Sequence, residues 1–307
     1  MIGIASIAAY LPSSRIDNIA RAEQLGSTPE QVEERIGFRK LAQMEPENGT
    51  FGLAIAAIRQ LLLQKPIAPE SIEVLVVVTQ NPDRNIPHLS AELHGVLGLP
   101  DRCACFDIGL GCSGYVYGLS VVSSFMQANG FKTGVLVTAD PYSKVVDQGD
   151  KNTSLIFGDG ATATLLNDDP VFDLGVFSFG TRGSEADKLA CNDSVLFMNG
   201  RAVFNFAATH VPADIRQVAE KNGVTLAEID CFVVHQGSRF IVETIADRLL
   251  LDRQRVPFLA AEYGNTVSSS IPMMLVELMK NEANKTLVLS GFGLGFSWAS
   301  TVIKRRE

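Results

Sequence analysis

Short β-branched apolar runs alternate with longer amphipathic stretches along most of this chain. Glu73–Thr79 is one such run, followed by a loop and an amphipathic segment around Ser90–Leu97. Ala104–Ile108 is a second, and it leads through a glycine-rich turn into Ser113–Ala128, which is predicted to be helical. Gly134–Thr138 is a third buried strand. Continuous apolar strands separated by helices call for a sheet covered on both faces, so the pattern predicts α/β layers.

The second half of the chain repeats this order. Ile229–Val234 has the shape of Val74–Thr79, and Thr286–Ser290 matches Gly134–Thr138. The segment Gly158–Leu166 parallels Gly291–Ala299, each being a glycine-rich turn that enters a final strand. Two similar α/β halves, 1–166 and 167–307, are therefore expected, with a site that draws residues from both. The alternative is the loose self-similarity of any long α/β chain.

Composition narrows the class. A chain of 307 residues, 46% hydrophobic and 20% charged, can bury a large core and reads as a compact soluble protein. Its longest apolar stretches, such as Val74–Val78, are too short to span a bilayer, so no membrane association is expected. Ile2–Tyr10 is apolar, yet no basic segment precedes it and no cleavage site follows, which leaves a cytoplasmic location as the expectation. The net charge of −8 argues against a nucleic-acid partner, and an acidic protein partner would need a local basic cluster. Five cysteines without a CxxC pair argue against a disulfide framework or a zinc site.

One cysteine differs from the rest. In Phe106–Gly114 a strand ends, glycines allow a tight turn, and Cys112 stands where a helix begins. A helix N-terminus favours the thiolate, and the flanking glycines leave room for backbone N–H donors to face an oxyanion. Cys103, Cys105, Cys191 and Cys231 lack this setting and read as small hydrophobes. Among the four histidines, His88, His94 and His210 read as surface or packing residues. His235 closes the buried strand Cys231–Val234 and opens a turn at Gln236-Gly237, and ligands gather at the carboxyl ends of such strands. Tyr263–Pro272, a Gly-Asn turn entering the helix Met273–Lys280, is by itself an ordinary capping turn. It occupies the place in the second half that Gly111-Cys112-Ser113 holds in the first.

Five segments together resemble the signature of the β-ketoacyl-ACP synthase III family. They are Gly111–Gly114, Phe157–Ala161, His235-Gln236, Tyr263–Thr266 and Gly291–Gly295, in that family's order and similar spacing. The resemblance implies a thiolase fold, two halves in an αβαβα layering, and a homodimer. It also implies a Cys-His-Asn triad of Cys112, His235 and Asn265, with the backbone N–H groups of Cys112 and Leu294 as the oxyanion hole. The implied chemistry is acyl transfer to Cys112, then a decarboxylative Claisen condensation with a malonyl thioester. Acyl-CoA or acyl carrier protein would be donor, with no metal or redox cofactor.

Departures from the family pattern concern substrate rather than reaction. Gln31 stands where relatives have a tryptophan that stacks on the adenine of coenzyme A, while Arg35 and Lys151 keep basic character at the other coenzyme A positions. Arg201 replaces a pocket asparagine, and Asn205 replaces a basic contact for the carrier protein. Gly237-Ser238-Arg239-Phe240 replaces Ala-Asn-x-Arg, so Ser238 takes the substrate-contact position and Phe240 that of a docking arginine. Arg239 and Arg248 are the candidate carrier-docking residues, with Arg253 and Arg255 as further members of a basic patch or of a solvated helix face. These changes point to a specialised fatty-acid or secondary-metabolite pathway. A non-decarboxylating acyltransferase and a non-catalytic subunit are the alternatives.

Overall fold

The computed structural model describes residues 1–45, 47–192 and 194–307. Nine strands form the main sheet: β1 (Gly3–Tyr10), β2 (Val74–Val78), β3 (Ala104–Ile108), β4 (Thr133–Ala139), β5 (Ala161–Asn167), β6 (Phe172–Thr181), β7 (Cys231–Val234), β8 (Thr286–Gly293) and β9 (Ser297–Arg305). Their order across the sheet is β7-β8-β9-β6-β1-β5-β4-β2-β3. Within it one pattern of pairing occurs twice. β2 runs parallel to β4, β4 antiparallel to β5, and β5 antiparallel to β1. Likewise β7 runs parallel to β8, β8 antiparallel to β9, and β9 antiparallel to β6. Among the described residues, the ladder between the two sets consists of Gly3 opposite Asp173 and Ile4 opposite Phe172. The paired sets contain the segments whose sequences repeat.

Six longer helices cover the sheet: α1 (Gly49–Gln64), α2 (Leu89–Leu97), α3 (Gly114–Asn129), α4 (Gly200–Lys221), α5 (Arg239–Leu249) and α6 (Ser270–Leu278). Three buried clusters define the layers. α1 and α2 pack on one outer face through Leu53, Ile58 and Leu93 against Leu75, Val77 and Val135. α4 and α5 cover the other outer face through Ile215, Ile245 and Leu249 against Phe232 and Val288. Between them, Tyr115, Leu119 and Met126 of α3 and Ile271 and Leu275 of α6 pack against Val74 and Val76 of one set and Val233, Leu287 and Leu289 of the other. The result is an αβαβα sandwich. All five residues of β2 are buried, which explains its unbroken valine-leucine run.

The helix expected over Met273–Lys280 starts three residues earlier. Pro272 falls in its first turn, where a missing N–H costs nothing because those donors have no intrahelical partner. No helix among the described residues is long and apolar enough to cross a membrane.

Candidate active site

The turn after β3, the end of β7 and the turn before α6 converge on one cavity of about 400 Å³, lined by Cys112, His235 and Asn265 together with Leu294 and Gly293. The halves interlock here by backbone contact. A Cβ on Gly293 would stand 2.8 Å from Cys112 Sγ, and one on Gly291 would stand 2.8 Å from the Cys112 carbonyl oxygen. Real Cβ atoms do not approach so closely, so both positions require glycine.

The amide of Asn265 is oriented by its own turn. Its Oδ1 accepts the backbone N–H of Val267 at 2.9 Å, which leaves Nδ2 facing His235 Nε2 at 3.4 Å. The turn is itself anchored to the first half: Gly158 N–H donates to the Asn265 carbonyl at 3.0 Å, and Asn265 N–H donates to that of Ile156 at 2.9 Å. His235 is fixed by its N–H to the Ser290 carbonyl at 2.9 Å and by Phe292, whose ring meets the imidazole edge-on at 5.4 Å. Burial pushes the imidazole pKa down to about 3, so the ring is neutral at physiological pH.

The thiol departs from the sequence expectation. Cys112 is 4% exposed, and burial, with Asp140's charge adding to it, pushes the thiol up to about 12. The backbone N–H groups of Leu294 and Cys112 act on the sulfur in the opposite direction but do not win. Two features oppose the expected lowering: α3 begins at Gly114, so Cys112 precedes its first turn, and burial disfavours a charge on the sulfur. Both N–H groups are close enough to act on the sulfur.

Arg35, Lys151, Arg201 and Ser238 also line the cavity. Ser238 has a structural task as well, since its hydroxyl accepts the Ile241 N–H at 3.2 Å and caps α5. Gln31 is exposed and does not line the cavity; its side chain takes a hydrogen bond from Ser27 at 3.2 Å. Arg239 donates to the Glu33 carbonyl at 3.0 Å and lies over the Phe258 ring at 4.8 Å, so it fastens the segment bearing Arg35. Arg248 is exposed in the last turn of α5, and neither arginine lines the cavity. Arg253 pairs with Glu243 and Asp247, and Arg255 turns inward to the Leu226 and Ile229 carbonyls. Phe240, in contrast, lines the cavity and stacks on Phe204 with ring centroids 5.0 Å apart.

Two contributions escape the sequence reading. The hairpin of Leu189–Asn192 and Val195–Met198 supplies Leu189 and Met198 to the wall, but four-residue strands carry too few periods to be read. Asp140 lies buried near enough to Cys112 for its charge to act on the thiol, and its signal is a carboxyl at the end of an apolar strand, the setting that marks His235.

Known proteins share this fold. Residues 219–305 match the family described as 3-Oxoacyl-[acyl-carrier-protein (ACP)] synthase III C terminal, and residues 106–183 match 3-Oxoacyl-[acyl-carrier-protein (ACP)] synthase III. The chain is 32% identical to a beta-ketoacyl-[acyl-carrier-protein] synthase III of Lactobacillus helveticus, over 98% of each chain. The crystal structure of the Thermus thermophilus synthase III superposes with a TM-score of 0.91 at 29% identity, covering 99% of both chains. A priming beta-ketosynthase from the R1128 polyketide biosynthetic pathway superposes with a TM-score of 0.90 at 27% identity, covering 100% of this chain and 97% of the other. With the doubled strand pairing and the interlocked site, these likenesses decide the matter: the chain belongs to the 3-oxoacyl-[acyl-carrier-protein] synthase III family of thiolase-fold acyltransferases.

Proposed function

We propose that Cys112 takes an acyl group from a phosphopantetheine thioester and passes it to the enolate of a malonyl thioester. The observation that carries this reading is the Asn265–His235 pair facing the same cavity as a sulfur flanked by two backbone N–H groups. In the first stage the sulfur attacks the donor thioester, and the tetrahedral oxyanion is held by the N–H groups of Cys112 and Leu294. Collapse expels the donor thiolate, which ends with the proton that Cys112 has lost. In the second stage the malonyl carboxylate leaves as carbon dioxide, and its electron pair forms an enolate. His235 and Asn265 donate hydrogen bonds to the enolate oxygen. A neutral imidazole suits that role, because it keeps an N–H to donate without a buried charge. The enolate carbon attacks the acyl-cysteine, the Cys112 thiolate departs and takes up one proton, and a β-ketoacyl thioester is released.

Arg35, Lys151 and Arg201 line the cavity and would face the phosphate that coenzyme A and a carrier protein have in common. Phe240 and Phe204 give the carrier side of the site an apolar character where relatives present an arginine. We place the division between the halves at Leu166, the nucleophile lying before it and the enolate donors after it. A homodimer is the assembly favoured by β3, an edge strand unpaired on its outer side, and by the exposed ring of Phe179 against Tyr117 of α3. The test is intact-mass spectrometry with acyl-CoA and acyl-carrier donors, followed by malonyl thioester. Acyl adducts should appear in the wild type, be absent in Cys112→Ala, and be discharged with release of carbon dioxide. An adduct on Cys103 or Cys105 would overturn the assignment of the nucleophile.

A further inference from the structure

Asp140 follows β4 directly and is wholly buried. Its Oδ1 accepts the Gln80 backbone N–H at 2.8 Å and lies 3.4 Å from Asn81 Nδ2, while Oδ2 has no partner. The hydroxyls of Thr79 and Ser268 lie beside the carboxyl. Two of these neighbours touch the nucleophile's turn. Gln80 Oε1 packs so closely on Gly111 that a Cβ there would stand 2.5 Å away, and the Ser268 Cβ is 3.9 Å from the place of a Gly114 Cβ. The carboxyl therefore sits under the turn, braced through residues that meet the glycines on either side of Cys112.

The groups facing it are Thr79, Gln80 and Asn81 after β2, Ser268 before α6, and two that titrate, Cys112 and Tyr142. The Tyr142 hydroxyl donates to Gln80 Oε1 at 2.9 Å, and burial, with Asp140 and Cys112 adding to it, raises its pKa well above the usual value. Lys144, on the same loop, pairs with Asp83 at 3.0 Å rather than with Asp140. Burial outweighs the stabilising contacts from Gln80, Ser268, Asn81 and Thr79 and raises the Asp140 pKa to about 7. A carboxylate at this place raises the Cys112 thiol still further. Two like charges sharing a water-poor pocket titrate as a pair.

We propose that Asp140 is a positioning residue whose charge tunes Cys112: the thiol ionises more readily while the Asp140 carboxyl is neutral, with its proton on the unpartnered Oδ2. The reaction needs no additional reactant for this, since a proton on the carboxyl replaces one on the sulfur within the same pair. The proposal rests on Cys112 as nucleophile.

The experiment is alkylation of the full-length enzyme by iodoacetamide between pH 6 and 9, with the rate at Cys112 read by peptide mass spectrometry. The exposed Cys191 serves as an internal reference. In the wild type the Cys112 rate should rise about tenfold per pH unit below pH 7 and flatten above it, because each further step must place a second negative charge in the pair. Asp140→Asn, which keeps an acceptor and loses the charge, should rise without a break and exceed the wild type by at least roughly tenfold at pH 9. Cys191 should be unaffected. A straight wild-type profile through pH 7 overturns the proposal even where the variant fails to fold, and so does a break that persists in Asp140→Asn. Failure of any thioester to acylate Cys112 would count against the proposed function instead, since alkylation needs no substrate.

Discussion

Asn265 Nδ2 and His235 Nε2 face each other at 3.4 Å, and the turn that bears Asn265 is tied to the first half through Gly158 and Ile156. This contact is long for a hydrogen bond between the two, and both groups can instead donate to one oxygen placed at the cavity wall.

Asn265→Ala therefore separates the two stages. Cys112 should still be acylated, while carbon dioxide release from a malonyl thioester should slow by roughly 100-fold or more for the lost donor. The measurement pairs intact-mass acylation with labelled carbon dioxide trapping. Undiminished decarboxylation would shift support to an acyltransferase that only moves the acyl group.

His235 gives a prediction for stability. Its pKa in the folded protein is depressed to about 3, so between pH 6.5 and 3 the unfolded chain binds more protons than the folded one. The contribution of this residue is present above pH 6.5 and lost as the pH falls. At pH 4.5 the loss should reach roughly 2–3 kcal/mol. Urea unfolding of the wild type and of His235→Gln at pH 7.5 and 4.5 isolates it: the stability difference between the two proteins should move in favour of the variant at the lower pH by about that amount. A difference that does not change with pH would show a ring already charged in the fold.

Gly293→Ala tests the interlocking of the halves. The new methyl must displace Cys112 Sγ, 2.8 Å from its position. Acylation should fall by at least roughly 100-fold, as misplacing a reacting atom by about an ångström does. The thermal midpoint should change far less than the rate. Wild-type acylation in the variant would mean that the backbone of β8 yields easily.

Gln31→Trp bears on the donor. Aromatic stacking on a base contributes on the order of 1–3 kcal/mol, so the variant should use acyl-CoA roughly 5- to 150-fold better in kcat/KM. Transfer from an acyl carrier protein should stay almost unchanged. Gln31 is exposed on the short helix that precedes Arg35, so a tryptophan there meets no packing constraint. A wild type that already has a low micromolar KM for acyl-CoA, with no gain from tryptophan, would make Gln31 irrelevant to donor choice.

Much of this architecture can be read from residues in order. Ala104–Ile108 is a strand with the expected bounds, and the turn at Gly158 does enter β5, whereas Gly291–Gly293 still belong to β8 and the turn into β9 is Leu294–Phe296. Cys112 and His235 are legible because strand ends and glycines are local features. What escapes is set by depth and direction. The thiol's high pKa depends on how many atoms cover the sulfur, which no local pattern records. The direction of Arg239 depends on Glu33 and Phe258, which are distant in sequence and leave no local pattern. The joining of the two strand sets into one sheet rests on two residue pairs between β1 and β6, too few to leave a periodic trace.

The glycines at 291 and 293 also divide the molecule by its freedom to diverge. At the sulfur, Gly291 meets the backbone of Cys112 and Ser113 and Gly293 meets Cys112 Cβ and Sγ, so the second half leaves no room there for a side chain. A change there has to be matched in two distant stretches of chain at once, which single substitutions cannot do. At the cavity wall the contacts are made by Arg35, Lys151, Arg201 and Phe240, side chains that can be exchanged one at a time. Descent should therefore leave the bond-forming centre fixed while the choice of donor drifts, and new substrate ranges in this lineage should arise by stepwise replacement at the entrance alone.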